Sequence, residues 1–382
     1  MMRRIAFCFG FALLAGLGAD ADASNLAPTS LRALATGGGN AASAEGSEAL
    51  FENPAALGLI GADVGLRPGE TRQSLHLELS TGVNVRNVHT LGDEVLEHRK
   101  SLGESNVDTL LKKDPSLFNS LWDLDRQNFG VHPEVQLSCA TGKFAVSGWV
   151  LGDLGFLMHH NDIIPSLYAS DTAAAGVQLG FSQALVRNEL WVGVATKLIY
   201  AGSYNLVIAD STADSVTKNL QDKLTNFHWS AGADVGVLWL PLTTLRLGTS
   251  FRDLGMKYQG DYVVPEWDMG VAWFPQSEQS FGTWPRKFSL SAGLNDLLDV
   301  HHNWKLLSKI SLGAQYEISP LPVRLLNFRF ATGVLGGYPT AGVGMDLFRV
   351  IHLDAATWAY EIGYYTGQMP DRQWGVRLAI GW

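Results

Sequence analysis

The chain has 382 residues and a formal charge of −9. Arg3 and Arg4 offset Asp20 and Asp22, so the acidity persists beyond residue 23 and makes nucleic acid a poor partner. The only cysteines are Cys8 and Cys139, which excludes a multi-cysteine metal site and any disulfide formed after residue 23.

Met1 to Arg4 is basic, Ile5 to Leu17 is apolar with small residues interspersed, and Ala21-Asp22-Ala23 has the A-x-A cleavage pattern. These features predict a secretory signal peptide over 1–23, with the mature chain starting near Ser24. The apolar run is shorter than the roughly 20 residues a membrane helix needs. No later stretch approaches that length, so helical spans are not expected. Residues 24–61 are rich in glycine, alanine and serine, running from Ala33 through Gly37-Gly38-Gly39 to Glu45, Glu48, Glu52 and Asn53-Pro54-Ala55. Such a segment can fold tightly in a confined space or remain a disordered tail.

From about residue 74, alternating segments separated by turn signals read as strands. They are 74–88, 128–140, 143–158, 173–186, 189–204, 226–240, 243–257, 262–274, 284–297, 305–318, 322–335, 338–348, 351–364 and 372–382. On 226–240, Trp229 and Trp239 share a face with Ala231, Ala233, Val235 and Val237. Ten residues of tilted strand rise roughly 25 Å, the height of an apolar band between two aromatic girdles. On the last segment, Trp374, Val376, Leu378, Ile380 and Trp382 form one face and Gly375, Arg377, Ala379 and Gly381 the other. Trp382 reads as the terminal aromatic that signals barrel assembly. Turns after the even-numbered strands are mostly short, and connections after strands 1, 3 and 5 are long. Pro275 to Thr283, after strand 8, is the exception: the strand is miscounted or the turn elaborated. In the first long connection, Val107, Leu110, Leu111, Leu117, Leu121, Trp122 and Leu124 fall at helical spacing, with Asp114-Pro115 breaking them into two helices. These either cap the barrel mouth or form a docking surface for apolar cargo.

The expected fold is therefore an all-β transmembrane antiparallel barrel of about 14 strands over 62–382, with short helices in an outer loop. A barrel of that size leaks unless something fills it, and residues 24–61 are available as a plug. The small-residue stretch Gly37 to Gly58, with its Asn53-Pro54-Ala55, resembles the N-terminal plug of FadL-type outer-membrane transporters and the related PorV-like and TraF-like barrels. Trp239 to Gly248, Phe251 to Gly255 and Gly342 to Trp382 also look like that superfamily. The resemblance implies an outer membrane location and passive inward passage of long-chain fatty acids or other hydrophobic molecules. It also implies cargo leaving sideways through a gap in the wall.

Arg246, Arg252, Lys309, Arg329 and Arg377 fall on predicted inward faces. They could hold the carboxylate of an amphipathic cargo. The preferred reading is that they pair with acids such as Glu45, Glu48, Glu52 or Glu317 and fix the plug, because a wet lumen is ordinarily lined with charge. Asn53, Pro54 and Ala55 are expected to shape the plug rather than touch cargo. His159-His160 and His301-His302 are poor metal ligands as adjacent pairs, and Cys139 reads as packing. No Gly-x-Ser-x-Gly elbow or P-loop marks an enzyme, and no cofactor is implied. The expected partners are hydrophobic small molecules, outer-membrane lipids and the barrel assembly machinery. The rival readings are a PorV-like scaffold for secreted proteins and a non-specific porin.

Overall fold

A computed structural model describes residues 26–38, 41–60, 75–86, 128–161, 164–186, 189–208, 227–258, 261–275, 286–298, 306–320, 325–361, 367–368 and 370–381. Its barrel strands are β1 (Leu75–Arg86), β2 (Asn128–Thr141), β3 (Phe144–Asn161), β4 (Ile164–Val186), β5 (Leu190–Ile208), β6 (His228–Leu242) and β7 (Leu245–Leu254). They continue as β8 (Glu266–Trp273), β9 (Arg286–Leu294), β10 (Ile310–Ile318), β11 (Leu326–Leu335), β12 (Tyr338–Leu347), β13 (Ile351–Glu361) and β14 (Pro370–Gly381). Each pairs antiparallel with its chain neighbours, and β1 closes on β14 with Glu78 opposite Gly381 and Arg86 opposite Gln373. A two-stranded ribbon, Lys257–Tyr258 with Asp261–Tyr262, sits between β7 and β8.

The wall is built by alternation. On β14, Trp374, Val376, Leu378 and Ile380 are exposed, while Gly375, Arg377, Ala379 and Gly381 are buried. On β6, Trp229 (67% exposed) and Trp239 (48%) bracket the outward Val235, with Ser230, Asp234 and Leu238 buried behind them. Outward Leu137, Val150, Leu179, Val194, Leu312, Phe330 and Val343 continue this apolar surface around the wall. A continuous apolar belt is costly in water and is what a bilayer requires of a barrel. Aromatic contacts mark both rims: Tyr200 stacks on Phe227 and Trp229 at one, and Phe144 packs on Phe181 at the other.

Four places bear on the sequence expectation: the structure departs from it at the first two and agrees with it at the others. The β3–β4 ladder runs on to Asn161 opposite Ile164, and β5 reaches Ile208. The connection after strand 3 is therefore two residues rather than a long loop. The run His159-His160-Asn161 breaks the alternation that betrays a strand, but backbone pairing does not depend on that alternation. Second, β10 starts at Ile310: Leu306–Lys309 is one helical turn, α3, so Lys309 does not stand on a strand. The leucines and lysine of that turn are good helix formers, and the Lys309 carbonyl still accepts from the Asn295 amide at 2.8 Å. Third, β8 pairs directly with β9, so the strand count holds and the connection between them is elaborated. Fourth, Gly336 and Gly337, both at positive φ, close a tight hairpin between β11 and β12. The helices expected within Glu104 to Asp125, His301-His302 and the predicted assembly signal Trp382 lie outside the described residues.

Candidate functional site: the lumen and its N-terminal segment

The N-terminal segment lies inside the barrel. Ser30 caps helix α1 (Leu31–Ala35), its hydroxyl accepting from the Ala33 amide at 3.1 Å. The helix stops because Gly37 and Gly38 take φ of +90° and +100°. Gly37 also comes so close to the Leu312 and Val334 carbonyls that a Cβ has no room. A second short helix, α2 (Ala49–Glu52), leads into Asn53. Asn53 is extended, as the following proline demands, and opens the 3₁₀ turn Pro54–Leu59. Its side chain is fully buried. The Nδ2 donates to the Ala41 carbonyl at 2.6 Å and to the Val237 carbonyl of β6 at 3.1 Å, and Oδ1 accepts from the Ala55 amide at 3.1 Å. One amide thus fastens the two halves of the segment to each other and to the wall.

The wall is notched to receive this backbone. At Gly236 a Cβ would overlap Asn53 Oδ1, and at Gly193 it would overlap the Pro54–Ala55 peptide. Polar wall side chains complete the docking. Trp149 Nε1 donates to the Leu26 carbonyl at 2.9 Å, Gln178 to Leu50 at 3.0 Å, Ser182 to Ala55 at 3.0 Å and Thr340 to Ala35 at 2.9 Å. Leu50, Phe51, Ala55 and Leu57 pack against Trp149, Trp191, Ile199 and Leu238 in one apolar cluster on β3–β6. Leu31, Leu34 and Ala35 pack on Ala331, Leu335, Ala356 and Trp358 across the lumen.

The predicted arginines meet carboxylates. Arg246 Nη1 is 3.1 Å from Glu45 of the segment, which also takes Arg32 at 3.2 Å. Arg252 lies 2.8 Å from Glu266 and 2.7 Å from Asp268. Arg329 lies 3.3 Å from Asp346 and 3.2 Å from Asp354. Arg377 pairs with Glu78 and donates to Ser80. Glu317 stands opposite Arg329 in the β10–β11 ladder and accepts from Gln315 at 2.7 Å. A further cluster was missed in the sequence: Lys197 reaches Asp234 at 3.0 Å and Asp253 at 2.7 Å. Gln178 ties Asp234, at 2.7 Å, to the Leu50 carbonyl. The available signal was Asp234 itself, on the face opposite the Trp229–Trp239 stripe.

In the segment, burial alone would raise the Glu45 carboxyl, but Arg32 and Arg246 outweigh it and hold it down at about 2. Glu52 behaves oppositely: burial pushes it up to about 7 against the pull of Arg252, aided by Asp268 and Glu48. Glu48 accepts from Ser30 Oγ at 2.6 Å. Glu48 and Glu52 both line two small voids, with about 20 and 10 Å³ open to water. These hold about one water each. On the neighbouring wall the β2–β3 ladder skips His132-Pro133 opposite Gly152-Asp153, then resumes in register. Proline cannot donate to the ladder. Among the described residues no three His, Cys, Asp or Glu converge as a metal site, and Cys139 is a free thiol on β2 opposite Leu77.

No family model matches the chain, and no curated protein matches it in sequence. Solved structures do. The Ralstonia pickettii toluene transporter TbuX superposes over 94% of this chain and 98% of its own with a TM-score of 0.52 at 12% identity. A Pseudomonas aeruginosa FadL homologue covers 93% and 98% at 11% identity with a TM-score of 0.45, below the level that supports an assignment. The chain shares the barrel fold of TbuX.

Proposed function

We propose that the protein is an outer-membrane channel for passive entry of hydrophobic or amphipathic small molecules, exported by its N-terminal signal and kept shut by residues 24–61. The observation that carries this reading is the seating of residues 26–38 and 41–60 inside a closed fourteen-stranded barrel, fitted to notches at Gly193 and Gly236. Eight strands fill their own interior, and 16 to 18 leave an open water channel. A barrel of intermediate size with an internal segment can admit cargo only when that segment shifts. The fold shared with TbuX, a toluene transporter, supports hydrophobic cargo. Sideways exit would be eased where a ladder is interrupted, as β2–β3 is at Pro133 and β6–β7 is beside Asp234.

Long-chain fatty acids and aromatic hydrocarbons both belong to the proposed cargo class. Arg246, Arg252, Arg329 and Arg377 already hold carboxylates, which supports pairing over cargo anchoring for these four. The test is binding of a pyrene-labelled long-chain alcohol and fatty acid to the protein in nanodiscs, with and without residues 24–61. Saturable binding that unlabelled alcohol displaces, and that changes on deletion, is expected. No saturable binding of either probe would contradict the channel reading and favour the PorV-like scaffold.

A further inference from the structure

The lumen holds a surplus of carboxylates on wall and segment alike, and two of them, Glu48 and Glu52, stand on the N-terminal segment. Around α2 the guanidiniums of Arg32, Arg246, Arg252 and Arg377 are matched by Glu45, Glu78, Glu266 and Asp268. Glu48 and Glu52 remain. They stand four residues apart, and both border the two water-sized voids between segment and wall. Glu48 accepts one hydrogen bond, from Ser30. Glu52 is only 7% exposed, and no hydrogen bond or ion pair engages its carboxylate among the described residues. A buried carboxylate in that state needs a donor, which a water in the void or a ligand can supply. Gln315 and Ser291 line one void and Thr29 and Gln136 the other, beside the carboxylate-paired guanidiniums of Arg32 and Arg377 respectively, and Gln315 Oε1 already accepts from Arg32 at 3.2 Å.

We infer that Glu48 and Glu52 form a subsite for the primary ammonium head of an amphipathic cation, so that the channel prefers alkylamines to fatty acids of equal length. This rests on the proposed channel function and names its cargo chemistry. An –NH₃⁺ group is about the size of a water, has three donors and needs three acceptors. Two carboxylates and a neighbouring amide or hydroxyl oxygen supply them. Calcium wants six to eight oxygens and magnesium an octahedron, more than this pair offers. A carboxylate head would meet Glu48 and Glu52 with the nearby guanidiniums already engaged, and like charges at close range repel. A trimethylammonium head carries the right charge but has no N–H to donate to the carboxylates. The free site can take a proton instead, consistent with the elevated Glu52 carboxyl.

The test is displacement of the pyrene-labelled alcohol from the full-length protein in nanodiscs at pH 7.5 by dodecylamine, dodecanol, dodecanoate and dodecyltrimethylammonium. Dodecylamine is expected to bind about tenfold more tightly than dodecanol, as a charge-assisted hydrogen bond implies. Dodecanoate is expected to bind no better than dodecanol, and the trimethyl head less well than the primary amine. E52Q and E48Q should each shrink the amine-to-alcohol ratio. E52Q is isosteric and resembles the protonated form that burial already favours, so it should fold. An amine no tighter than the alcohol, or a ratio unchanged in both variants, overturns the subsite while dodecanol binding leaves the channel reading standing. If none of the four displaces the probe, both fall together.

Discussion

Replacing Asn53 with alanine removes two donated bonds, to Ala41 and Val237, and the cap on the Ala55 amide. Docking of the segment should weaken by about 1–3 kcal/mol. Amides of residues 41–60 would then exchange faster while those of the β5–β6 ladder would not. Uniform loss of protection in both would contradict a local role. Glu52 gives a pH signature. Below about pH 4.5 it is protonated whether the segment is docked or not. Between there and about 7 the undocked carboxyl has released a proton that the docked one keeps, so docking weakens as pH rises. The full cost, on the order of 3 kcal/mol, is reached above that range. Glu45 has the opposite sign: its stabilisation is present above about pH 4.5 and is lost as pH falls towards 2. Segment protection, corrected for intrinsic exchange, should therefore be greater at pH 5 than at pH 8, and E52Q should abolish the difference. Equal protection at the two pH values in the parent protein would rule out a buried, unpartnered Glu52. The Asn-Pro-Ala element was legible because proline fixes its own φ and constrains the residue before it. The notches at Gly193 and Gly236 were not, because a glycine in a strand reads the same whether it faces lipid, water or another backbone.

The strands themselves were the most legible feature, since period-two alternation across a lipid boundary leaves a strong pattern. Val194 pairs with Val235, midway between Trp229 and Trp239, and both face outward. V194R should cost about 2–4 kcal/mol in unfolding from lipid vesicles if that level is the bilayer midplane. A change near zero would place this face in water. The pattern failed at β3, β4 and β5 because the alternation lapses at runs such as His159-His160-Asn161, which were taken for loop while the backbone went on pairing. Lys309 failed differently, because four helix-forming residues at a strand end settle into a turn before pairing begins.

At the scale of the molecule, the segment is held by two apolar clusters, a few side-chain-to-carbonyl bonds and the Glu45 ion pairs, on opposite sides of the lumen. The barrel ladder closes on itself without it, so the wall should survive its removal. The inward carboxylates, to which the proposed subsite gives the choice of cargo, were visible as acids but not as a surplus, because pairing is set by cross-strand geometry that alternation does not reveal. The central claim is that the N-terminal segment closes this lumen. Single-channel recording in planar bilayers tests it most directly, comparing the intact protein with one lacking residues 24–61. The intact protein should show little or no steady conductance and the deletion stable, porin-like steps. Equal conductance from the two would contradict the account.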